Sequence, residues 1–106
     1  MGMSLDMKFL ALEHDRPGIS AACQANESLL KDEARRAWEL YQAGVIRELY
    51  FRADRHAAVL VLECASVEEA REVLSTLPLV REKLIEFELI PLQAYPGFAR
   101  LFSTAA

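Results

Sequence analysis

The chain has 106 residues, 53% of them hydrophobic and 26% charged, with a formal net charge of −4. That length is most simply one domain, 1–106, and the apolar fraction is enough for a sizeable core rather than a disordered chain. The acidic balance excludes a nucleic-acid footprint, which needs a clustered basic face.

Met7 to Glu13 is a short apolar run that fits a buried strand, and the cluster His14, Asp15, Arg16, Pro17, Gly18 ends it in a loop. From Asn26 to Ala43 the spacing predicts a helix. Leu30, Ala34, Ala37, Trp38 and Tyr41 fall on one stripe, which reads as core packing. Ser20, Asn26 and Ser28 are candidate N-caps, and Gly44 is a natural stop. Val45 to Arg52 alternates as a strand, with Val45, Arg47, Leu49 and Phe51 on one face and Ile46, Glu48, Tyr50 and Arg52 on the other. A polar turn over Ala53–His56 makes a hairpin with Ala57–Cys64, which is apolar on both faces and reads as a central strand.

Ser66 with Glu69 three residues on is a capping box, and it opens a second helix that Pro78 ends. The last strand spans about Leu84 to Gln93, with Glu86 and Glu88 on one side and Phe87 and Leu89 on the other. An aromatic tail, 95–106, follows as a C-terminal arm. The order β-α-β-β-α-β predicts an α+β, ferredoxin-like fold: a four-stranded antiparallel sheet with two helices on one face. The other face is left bare and apolar, so a homodimer or higher homo-oligomer is expected.

The two cysteines, Cys23 and Cys64, show no CxxC spacing. They read as buried thiols of a reducing cytoplasm rather than a disulfide or a zinc site. No signal-like leader and no apolar run of ~20 residues is present, which predicts a soluble protein without membrane contact.

Arg47, Leu49, Tyr50, Glu63, Ser66, Ser75, the Leu77-Pro78-Leu79 break, Glu86, Glu88, Pro91 and Leu92 together resemble the muconolactone isomerase-like branch of the dimeric α+β barrel superfamily. The resemblance is strongest over 45–92. It implies a dimeric α+β barrel and cofactor-independent proton transfer on a small organic acid or lactone. Alternative readings are a non-catalytic small-ligand-binding or assembly module and a cofactor-free monooxygenase, since fold alone does not settle function.

The candidate proton-transfer groups are His14, at the end of the first strand, Glu48, and the pair Glu86 and Glu88. Arg16 and Arg52 are candidates for holding a substrate carboxylate, with Tyr50 beside Glu48 as a pocket wall or hydrogen-bond donor. His56 reads as a surface residue of the hairpin turn. No phosphate loop, nucleophile elbow or metal-ligand spacing is found, so no cofactor or metal is expected.

Overall fold

The structure is a computed structural model and describes residues 6–16 and 26–102. Pro17, Gly18, Ser20, Cys23 and the last residues of the tail, 103–106, lie outside the described residues. The elements are β1 (Met7–Asp15), α1 (Glu27–Gln42), β2 (Ile46–Phe51), β3 (Ala58–Cys64), α2 (Val67–Ser75), α3 (Pro78–Arg81), β4 (Ile85–Leu92) and a 3-10 segment, Pro96–Phe102. The strands form one antiparallel sheet in the order β2-β3-β1-β4, and the helices cover one face, giving the α+β arrangement expected for this element order. No helix among the described residues is long and apolar enough to cross a membrane.

Local chemistry explains the boundaries. Asn26 caps α1, its side chain accepting the Leu29 N–H at 2.8 Å. Gly44, at φ 81°, closes the helix: Gly44 N–H donates to the Tyr41 carbonyl and Val45 N–H to the Leu40 carbonyl. Ser66 Oγ accepts the Glu69 N–H at 3.1 Å, and the Glu69 carboxylate reaches back to the Ala65 N–H. Pro78 takes the first position of α3, where its missing N–H costs nothing.

β1, β3 and β4 each present alternate residues to the helices. Phe9 and Ala11, then Leu60, Leu62 and Cys64, are buried against Leu40, Ala70, Leu74 and Leu77. The opposite, open face carries Leu10, Leu12, Val59, Val61, Ile90 and Leu92, with Tyr50 and Glu48 on β2 and His14, Glu86 and Glu88 at the other side.

The structure corrects the sequence reading in three places. β1 continues through Asp15, so His14 sits in the sheet and not in a loop. The alternation of β2 breaks at a bulge between Ile46 and Glu48; Ile46, expected opposite Leu49, is buried and shares the helix side with Leu49, which stays exposed. Trp38 and Tyr41 are not core: Trp38 is 57% exposed, and the two rings stack at 5.9 Å on the outer side of α1.

Candidate functional site

An apolar cavity of about 450 Å³ lies between α1 and the helix-side face of the sheet. Leu30, Ala34 and Ala37 supply the α1 wall; Leu49, Leu60 and Phe87 supply the floor; Leu77 and Leu79 close one end. The small side chains Ala34, Ala37 and Ala58 leave the space that larger residues would fill. Cavities of this size and composition suit small organic ligands.

Three ionisable side chains line it: Glu13, Glu33 and His56. Glu33 projects from α1, and its Oε1 accepts the Leu79 N–H at 2.9 Å. Burial pushes its carboxyl above the ordinary 4.5, with the nearby Glu13 charge adding to the rise; the Leu79 hydrogen bond and Arg81 pull the other way. Glu13, on β1, accepts the Ala58 N–H at 2.8 Å and so ties the hairpin end of β3 to the centre of the sheet. His56 sits in the β2–β3 hairpin, its ring 4.5 Å from that of Phe51, at the rim of the cavity. A half-buried carboxylate whose pKa is raised by a largely apolar chamber is a candidate proton acceptor.

The residues singled out in the sequence fall elsewhere, in two groups on the open face. At its β1–β4 side, His14 Nε2 lies 3.2 Å from Glu88 Oε1, and Arg16 lies 3.8 Å from Glu86. At its β2 side, the Tyr50 hydroxyl donates to Glu48 at 2.7 Å, a bond to an anion that raises the phenol above its ordinary range. Tyr50, Val59, Leu12 and Glu88 form one row across the sheet. The two groups are therefore about 14 Å apart, three strand spacings of ~4.8 Å, with an apolar centre between them. Arg52 is engaged with Asp54 through two hydrogen bonds, at 2.6 and 2.8 Å, which hold the Asp54 carboxyl below its usual range. None of these residues lines the helix-side cavity; Glu48 and Tyr50 border a separate groove beside Trp38 and Tyr41.

Glu33 and Glu13 were not candidates from the sequence, although a signal exists. Glu33 lies three residues after Leu30 and four before Ala37, so it shares their side of the helix. A carboxylate interrupting an apolar helical stripe is itself a pointer to a lined cavity.

No curated protein matches the chain in sequence. Among solved structures it is similar to the crystal structure of muconolactone isomerase at 3.3 Å resolution, with a TM-score of 0.66 and 24% identity over 94% of this chain and 97% of that one. The family model of muconolactone delta-isomerase matches residues 7–97, which span every strand and α-helix described above. The chain belongs to the muconolactone delta-isomerase family.

Proposed function

We propose that the protein is a cofactor-independent isomerase that moves a proton on a small lactone or organic acid, with Glu33 as the base in the helix-side cavity. The observation that carries this reading is the Glu33 carboxylate, half-buried in an otherwise apolar chamber and displaced toward neutral pH by that burial. Ionised Glu33 takes a proton from the carbon next to a carbonyl; the resulting acid returns it at another carbon of the same conjugated system. Glu13 stays tied to the Ala58 N–H and acts on Glu33 through its charge.

The acting unit is proposed to be a cytoplasmic homodimer or larger assembly. The open sheet face, with Leu10, Leu12, Val59, Val61, Ile90 and Leu92, supports it, and so does the exposed arm with Tyr95, Phe98, Leu101 and Phe102. The arm is proposed to pack on a partner subunit or over the cavity mouth. His14, Arg16, Glu86 and Glu88, or Glu48, Tyr50 and Arg52, would enter catalysis only where a second copy turns the open face into a closed pocket.

The test is turnover of muconolactone in deuterated water, read by proton NMR, for the wild type beside Glu33→Gln and His14→Gln. Loss in Glu33→Gln alone supports the cavity base. Loss in His14→Gln alone moves the chemistry to the open face. Ligand-dependent melting without turnover makes the protein a binding module.

A further inference from the structure

The charge balance of the cavity poses a problem for any acidic ligand. Glu13 and Glu33 both face it, and among its lining residues His56 is the one side chain able to carry a positive charge. The segment 17–25 contains no Lys, Arg or His that could supply another. Nearby cations do not line the cavity: Arg52 holds Asp54, Arg55 acts on the same Asp54, and Arg81, 3.4 Å from Glu82, reaches Glu33 only through its charge. An anion entering beside two carboxylates without a countercharge would be repelled.

His56 is well placed to provide it. The Ala57 N–H donates to the Arg55 carbonyl at 2.9 Å, closing a tight turn with His56 at its centre. On one side the Arg52 N–H donates to the Ala57 carbonyl, and on the other Glu13 holds the Ala58 N–H. Phe51 packs against the ring. The imidazole is thus fixed in backbone position at the rim, one end of the chamber, while Glu33 occupies the α1 wall.

We infer that His56, as the imidazolium, binds the carboxylate of an anionic ligand at the cavity rim and thereby orients the ligand's reacting carbons toward Glu33. The assignment makes His56 a positioning and specificity residue, and it rests on the proposed reading of the cavity as the substrate site. Charged groups facing the imidazole's surroundings are Glu13 from β1, Glu33 from α1 and Arg52, Asp54 and Arg55 from its own hairpin, with Arg81 of α3 acting on Glu33.

Binding of muconolactone and of its methyl ester, measured by calorimetry, separates charge recognition from shape. The wild type is expected to prefer the acid by roughly tenfold or more. His56→Gln removes the preference, and His56→Lys keeps it. His56→Lys decides the matter should His56→Gln fold poorly. Equal binding of acid and ester by the wild type, binding of neither, or a preference that survives in His56→Gln overturns the assignment. An intact, His56-dependent preference in a protein that does not isomerise muconolactone would sink the isomerase reading while leaving the anion site standing.

Discussion

The Glu33 carboxylate on α1 accepts the N–H of Leu79 on α3, capping a helix whose own N-cap residue, Leu77, has no side chain able to do so. One side chain thus holds two helices together and faces the cavity. Glu33→Gln keeps an acceptor for the Leu79 N–H and removes the base. It is expected to retain the fold while losing on the order of 10²–10⁴ in kcat. Glu33→Ala loses both, and should in addition melt lower by an amount typical of a lost cap, about 1 kcal/mol. Kinetics and urea unfolding of the two variants distinguish the roles.

The raised Glu33 pKa fixes two signs. As a base it acts only when ionised, so kcat/KM should fall as pH falls through the raised value, and at a higher pH than for an exposed glutamate. For folding the dependence is opposite. Between the ordinary 4.5 and the raised value the folded state holds more protons than the unfolded one, so stability declines as pH rises across that window and is level above it. Glu33→Gln should flatten that segment of the urea-derived stability profile.

The open face gives a prediction about assembly. Leu10 is flanked by Val61 and Ile90 at the centre of that face. Leu10→Glu should leave circular dichroism unchanged and reduce the mass in light scattering to 11.9 kDa, whereas the wild type should give at least twice that value. A wild-type monomer would remove the basis for a face-to-face dimer.

Trp38 and Leu74 should behave in opposite ways to what residue size suggests. Trp38→Ala is expected to cost less than about 1 kcal/mol, because the ring lies outside the core and stacks only on Tyr41. Leu74→Ala removes a side chain that is 4% exposed and packed into the core, and should cost about 2–5 kcal/mol. Thermal unfolding of Trp38→Ala checks the orientation of α1, and that of Leu74→Ala the packing of α2.

The arm supplies the last prediction. Phe98, Leu101 and Phe102 are 66–81% exposed, while Tyr95 lies edge-on to Phe98 and covers Gly97, where a Cβ would overlap its ring. The Cα radius of gyration of 16.9 Å exceeds the ~13 Å of a compact chain of this length. Truncation after Ala94 should leave the sheet and helices folded but weaken either self-association or cavity binding. A truncated chain with unchanged mass, melting temperature and muconolactone affinity would make the arm dispensable.

The element order, the Ser66 capping box, the Gly44 stop and the sidedness of β4 were legible because each depends on local chemistry or a short period. The orientation of α1 was not. The expected stripe through Leu30, Ala34, Ala37, Trp38 and Tyr41 was drawn toward the large aromatics, whereas the helix buries Leu40 and leaves Trp38 and Tyr41 outside the core. That rotation brings Glu33 to the cavity. The bulge beside Arg47 was equally hidden, since an inserted residue leaves no mark on a strict two-residue alternation. The helix-side cavity was not anticipated for the same reason: carboxylates were sought on strands, where their pairing was visible, and not on a helix whose facing was misjudged.

The bulge has a further effect. β2 and β4 are the two border strands of the sheet, and neither offers an even row of backbone donors and acceptors: β2 is dislocated near Arg47, and β4 carries Pro91, which has no N–H to give. A foreign strand would find no continuous ladder to join on either flank. The sheet is therefore terminated at four strands by its own covalent chemistry, and growth of copies into ribbons or fibrils is disfavoured even at concentrations where the apolar face draws molecules together.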